Sequence, residues 1–193
     1  TDLTDILDNT WARLHESAVV RGTGFRMAQL ATIGRNGTPR LRTVVLRSAS
    51  FSESSVRFYT DIRSPKVAEI RGNNAVSLVA YHATEGQQIR LEGIATLHHL
   101  DDIARTAWAN THPQSHGAYQ SGFAPGTAIT SADAADPTDA AQAGGADDAG
   151  FEHVGVVAIA VRRLDWLDLA ASGHRRAAFD WTGDAWRGGW IAP

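Results

Sequence analysis

Apolar residues Leu3, Ile6, Leu7, Trp11 and Leu14 recur at three- and four-residue steps, which predicts an amphipathic N-terminal helix with one packing face. From Phe25 the period changes. Phe25 to Ile33 and Leu41 to Arg47 read as strands around a turn containing Asn36-Gly37, a hairpin signal. A third strand is expected over Val56 to Thr60. Ser64-Pro65-Lys66 then offers an N-cap serine and a proline at the first helical position, so a short helix begins there and ends near Asn73-Asn74. Ala75 to Tyr81 is an apolar strand, and Gln88 to Leu97 alternates Ile89, Leu91, Gly93 and Ala95 with polar neighbours.

A second helix is expected from about Asp101 to Asn110, with acidic residues in its first turn and Pro113 beyond its end. Residues 124–150 are dominated by alanine, aspartate, glycine and threonine. Ile129 is their only large aliphatic residue, so the stretch reads as a low-complexity loop that buries too little to offset its ordering entropy. Strands resume at His153 to Asp168, Ala177 to Trp181 and Ala185 to Ile191. About eight short strands and two or three helices favour an antiparallel barrel or sandwich over a doubly wound sheet. Gly22-Thr23-Gly24 lacks a third glycine and a strand-to-helix setting, so it reads as a plain loop.

Composition narrows the chemistry. The 193 residues suit one domain over 1–193, and 43% hydrophobic content supports a full core. A net charge of −3 argues against general attraction to nucleic acid or anionic membrane, so phosphate chemistry would need a local cluster. The absence of cysteine excludes disulfides, thiolate metal sites and cysteine nucleophiles. No apolar run approaches membrane-spanning length, and the first ten residues lack signal-peptide order, which points to the cytoplasm. Of the 18 basic residues 17 are arginine, leaving Lys66 as the one lysine.

That lysine falls at the junction Phe58 to Lys66, where a strand gives way to a capped helix. Free N–H groups and the helix dipole make such a start an anion site, with Arg63 and Lys66 beside it. The neighbouring strand carries Arg42 and Arg47. Five residues apart, they should point to opposite faces unless a bulge intervenes, so one would hold a cofactor and the other a second ligand or a partner subunit. His98-His99 with Asp101-Asp102 does not form a metal pair, because adjacent strand residues diverge. Trp181, Trp186 and Trp190 are expected to pack in a core or subunit interface.

The strings RTVVLR (42–47), FYTDIRSPK (58–66), NNAVSLVAY (73–81) and QQIRLEG (87–93) occur in the order and spacing of pyridoxamine 5'-phosphate oxidase. Over roughly residues 25–122 and from 153 onward, the chain resembles the branch of that family known as pyridoxamine phosphate oxidase-related FMN-binding proteins. The resemblance implies a mainly β fold, a six-stranded split barrel, whose homodimer interface holds two molecules of flavin mononucleotide (FMN). It assigns Arg42 and Lys66 to the FMN phosphate, with Thr43, Val44 and Val45 on the same strand as Arg42. Tyr59, Thr60 and Ser64 would supply further contacts at the junction, Gln88 would bond the flavin ring, and Gln120 and Ser121 would reach FMN from the other subunit.

Departures from the family pattern limit what else is implied. Pro65 replaces a second basic residue, which weakens that grip or moves it to Arg63. Leu167 and Ala178 stand where the family has a flavin-contacting tryptophan and arginine. Trp108 and His112 replace a tyrosine and an arginine that bind substrate phosphate, so pyridoxamine 5'-phosphate is not the expected substrate. The reading is an FMN-dependent oxidoreductase with a small-molecule substrate met by Arg47, His112, His174 and Arg175. The alternatives are a flavin-binding module without turnover and a true pyridoxamine 5'-phosphate oxidase.

Overall fold

The structure is a computed structural model that describes residues 2–131 and 148–193. The expectation of a loop over 124–150 therefore falls largely outside the described residues. Helix α1 (Leu3–Val19) starts at Asp2 with a capping box: Asp2 accepts from the Thr4 N–H, and Asp5 accepts from that of Asp2. Strands β1 (Met27–Ile33), β2 (Pro39–Ser50) and β3 (Ser55–Asp61) follow, then helix α2 (Pro65–Gly72). Next come β4 (Ala75–His82), β5 (Gln87–His99), helices α3 (Asp102–Ala109) and α4 (Gly117–Gln120), and strands β6 (Val154–Asp168), β7 (Arg175–Trp181) and β8 (Trp186–Ile191). The expected strands are all present: β3, β4, β5 and β7 are longer by one to three residues and β2 by five, while β1, β6 and β8 begin one or two residues late. The first begins at Met27 rather than Phe25, and α4 had no sequence signal.

All pairings are antiparallel. The order β3-β2-β1-β4-β5-β6 closes into a six-stranded barrel because β6 also pairs with β3. Strand β6 is long enough for two partners on one edge: Val154–Ala160 face β3, whereas Arg163–Asp168 face β7, with β8 beyond. The changeover falls at a register shift opposite Glu92 and Gly93 of β5. Inward residues Leu30, Leu46, Val56, Phe58, Leu91, Val157 and Leu164 fill the barrel, and each such side chain contributes about 1.5–3 kcal/mol by leaving water. Helix α1 buries Ile6, Leu7, Trp11 and Leu14 against β2 and adjoining core residues, as its periodicity predicts. Of the three late tryptophans, Trp186 packs between Trp11 and Trp181, while Trp190 is half exposed.

Among the described residues no helix is long and apolar enough to cross a membrane. The β5–β6 approach at the register shift depends on Gly93, since a Cβ there would sit 2.3 Å from the Ala160 carbonyl oxygen and 2.9 Å from Ile159 Cγ2. Gly93→Ala is therefore expected to cost about 1–3 kcal/mol or more in urea unfolding. Gly72→Ala, at a helix end with open space around it, should cost nothing; equal effects would refute the packing account.

Candidate functional site

The turn from β3 into α2 is fixed by Asp61. Its Oδ1 accepts the Arg63 N–H at 2.8 Å, and its carboxylate takes the Arg63 guanidinium through Nε at 3.0 Å and Nη2 at 2.6 Å. This clasp holds the Arg63 pKa above its ordinary value, chiefly through the Asp61 hydrogen bond. Arg63 Nη1 also donates to the Ser121 carbonyl at 3.0 Å. The guanidinium expected to take over an anion grip is thus committed to a neighbouring carboxylate.

Ser64 occupies the N-cap position of α2, yet its hydroxyl makes no cap bond. Instead it and Thr60 Oγ1 accept from Lys66 Nζ, at 3.1 and 3.0 Å. Thr60 and Ser64 are buried, and Lys66 has no ion-pair partner among the described residues. Burial lowers the Lys66 pKa, the nearby Arg42 charge lowers it further, and Asp61 and Glu69 act in the opposite sense. An ammonium group held by two neutral oxygens, short of negative charge, is a ready anion ligand.

Arg42 points inward near the end of the barrel, level with Leu30. It donates to Thr32 Oγ1 and pairs with Glu69 of α2, while Thr32 donates to the same Glu69 oxygen at 2.6 Å. Arg42 is therefore near Lys66 but already partnered. Val44 is buried in the core, and Thr43 and Val45 face outward. Gln88 lies on the outer face of β5, directly opposite Tyr81 and Leu167, and makes no side-chain hydrogen bond among the described residues. Gln120 donates from Nε2 to the Ala149 carbonyl at 3.0 Å and keeps a buried Oε1 without a partner.

Arg47 sits at a β-bulge between Leu46 and Ser48. Leu46 and Ala49 stay inside with Arg47 and Ser48 both outside; alternation from Arg42 to Arg47 is unbroken, so the two arginines do face apart. Arg47 lies 5.7 Å above the Tyr59 ring, and both line a cavity of about 630 Å³ that His112 closes from the far side. Burial raises the Tyr59 pKa, with Arg47 opposing. Next to this cavity Trp108 and His116 stack with centroids 3.6 Å apart. His174 and Arg175 are not part of it. Arg175 pairs with Asp168 at 2.9 Å beside a separate cavity of about 240 Å³ under α1, and His174 is exposed.

Residues 8–99 match the family model of the pyridoxamine 5'-phosphate oxidase FMN-binding domain. That match spans just under half of the chain. Curated relatives include a pyridoxine/pyridoxamine 5'-phosphate oxidase 2 of Arabidopsis thaliana, 37% identical over 65 residues, covering 34% of this chain and 33% of that protein. A pyridoxine/pyridoxamine 5'-phosphate oxidase of Granulibacter bethesdensis is 41% identical over 69 residues, covering 34% and 32%. The matched region is thus about a third of the length of these relatives. Among solved structures, a pyridoxamine 5'-phosphate oxidase-related FMN-binding protein of Nostoc punctiforme aligns at TM-score 0.75 and 21% identity over 100% of this chain and 98% of its own. PhzG of Burkholderia lata 383, solved with tetrahydrophenazine-1-carboxylic acid, aligns at TM-score 0.70 and 19% identity over 98% and 92%. These likenesses place the chain in the split-barrel fold.

FMN is the cofactor of this domain family, and the residues fit it. Among the described residues the half-buried Lys66 ammonium has no ion-pair partner, and the Gln88 amide on the outer face makes no side-chain hydrogen bond. Sequence reasoning missed Glu69 and Thr32 as the partners of Arg42, because their meeting depends on how α2 lies over β1. The Asp61-to-Arg63 spacing was a readable local signal. Glu69 is nearly buried: burial alone would raise its pKa, but bonds from Thr32 and Arg42 and the Arg42 charge outweigh this and lower it. Its ionised form therefore contributes stability at neutral pH, a contribution lost as pH falls through the lowered value. Glu69→Gln should lose about 1–3 kcal/mol at pH 7, and urea midpoints should show the gap to the parent closing below the ordinary glutamate pKa of 4.5.

Proposed function

We propose that this protein is an FMN-dependent oxidoreductase that works as a homodimer, with Lys66 binding the FMN phosphate and Gln88 the flavin ring. The observation that carries the reading is the Lys66 ammonium: half buried, held by Thr60 and Ser64, and lacking an acidic partner among the described residues. Arg42 adds positive field from the barrel end. Its bond to Glu69 fixes α2 against β1 and so positions Lys66. Bound FMN would supply two-electron redox chemistry, and the protein would orient it and keep water from it.

The homodimer is supported by the outer face of β2-β1-β4-β5, where Leu41, Met27, Ile33, Tyr81 and Ile94 are exposed on neighbouring strands. Exposed apolar side chains at both ends of this sheet face call for cover, and a second copy would enclose Gln88 with them. Pyridoxamine 5'-phosphate is disfavoured as substrate. Where the resemblance expects a tyrosine and an arginine that bind substrate phosphate, this chain has Trp108 and His112, so the guanidinium fork is missing.

FMN should bind the purified protein and colour it yellow, with a dimer by light scattering. Lys66→Ala should weaken FMN about 10- to 100-fold while leaving riboflavin, which lacks the phosphate, nearly unaffected. Because only the ammonium form binds phosphate, FMN affinity relative to riboflavin should fall as pH rises through the lowered Lys66 pKa, below the ordinary 10.5. Equal losses for both ligands in Lys66→Ala would refute the phosphate assignment. Pyridoxamine 5'-phosphate should release no peroxide; brisk release would establish the oxidase reading instead.

A further inference from the structure

We propose that Asn36 is a site of spontaneous amide-to-acid conversion, and that the β1–β2 turn gates it through Thr38. The site stands independently of the flavoprotein reading. Asn36 is the only asparagine among these 193 residues followed by glycine; Asn9, Asn73, Asn74 and Asn110 all precede residues with side chains. A side chain at the following position crowds the approach of its backbone nitrogen to the asparagine amide, and Gly37 has none.

The reaction needs only water as co-reactant. The Gly37 backbone nitrogen attacks Asn36 Cγ, the new C–N bond closes a cyclic imide, and the side-chain amide leaves as ammonia with the proton that Gly37 gives up. Water then opens the ring at either carbonyl. One opening restores the ordinary backbone with aspartate at 36; the other leaves isoaspartate, in which the main chain runs through the former side-chain carbon.

The folded turn opposes the first step. Gly37 N–H donates to the Gly34 carbonyl at 2.8 Å, and Gly34 N–H donates to the Thr38 carbonyl at 2.8 Å, so the nitrogen that must attack is bonded elsewhere. Asn36 Oδ1 accepts from Thr38 Oγ1 at 2.6 Å and from the Thr38 N–H at 3.3 Å, which holds the amide toward Thr38. Attack requires Gly37 to release Gly34 and the Asn36 amide to rotate off Thr38. Packing adds little to this restraint. Gly37 has open space around it at a φ of +77°, and residues 35–40 are exposed, so this end of the hairpin opens without uncovering buried surface. The product would also change its partners. Arg40 Nε and Asn36 Oδ1 would each lie 3.2 Å from a Cβ built on Gly34, so a carboxylate at 36 has that guanidinium within reach and is drawn off Thr38. Isoaspartate would further displace the pairing of Ile33 with Pro39 and of Thr32 with Arg40.

Peptide mass spectrometry and isoaspartyl methyltransferase labelling of the full chain, aged in warm, mildly alkaline buffer with and without urea, test the proposal. In urea, position 36 should convert faster than any other asparagine, and in the folded chain at least about tenfold more slowly than in urea. Thr38→Val removes the hydroxyl bond and should speed the folded-state conversion about threefold or more while leaving the rate in urea unchanged. Thr38→Ser keeps the hydroxyl and should age at the parent's folded rate, which separates the bond from the shape of the side chain. Conversion in urea no faster at 36 than at Asn74 would overturn the site. Equal rates with and without urea, Thr38→Val ageing at the parent's folded rate, or equal acceleration in Thr38→Val and Thr38→Ser would overturn the gate.

Discussion

The pairing of β3 with β6 is the contact on which the arrangement turns. It closes the barrel, and it holds the last residues of β3, Tyr59 to Asp61, against Val156 to Val154. The chain must then reverse direction at the barrel end, and Asp61 makes that reversal specific by binding both the backbone and the side chain of Arg63. Helix α2 begins where this leaves it, with Lys66 on its first turn.

Around this junction, cations differ in what they are free to do. Arg42 and Arg63 each have a carboxylate, Glu69 and Asp61, and serve mainly to hold elements in place. Among the described residues Lys66 has hydroxyl oxygens alone, and Arg47 has a tyrosine ring. Positive charge on a structural element that has already been neutralised contributes rigidity; positive charge left without an opposite contributes binding. The cations around the junction are divided between these two conditions, which sequence matching alone does not reveal.

Strand periodicity, the hairpin turn and the Ser64-Pro65 helix start were legible because each is written in residues close together in the chain. The barrel and its cofactor class became legible through several motifs in register. The partners of Arg42 were not, since Thr32 and Glu69 reach it from β1 and α2 across the barrel end. Nor was the bulge after Leu46, since nothing in the alternation of RTVVLR marks where an extra residue falls. His174 and Arg175, grouped with Arg47 and His112 by motif position, lie apart from them in this chain.

The solitary lysine has one more consequence. A protein whose basic residues are otherwise all arginine carries just one ε-amine, and in this fold that amine sits among Thr60 and Ser64 with its proton loosened by burial. A larger share of it is uncharged, and hence nucleophilic, at moderately alkaline pH than of an ordinary solvent-exposed lysine. Amine-selective acylating or aldehyde reagents consequently find a single side-chain target among these 193 residues.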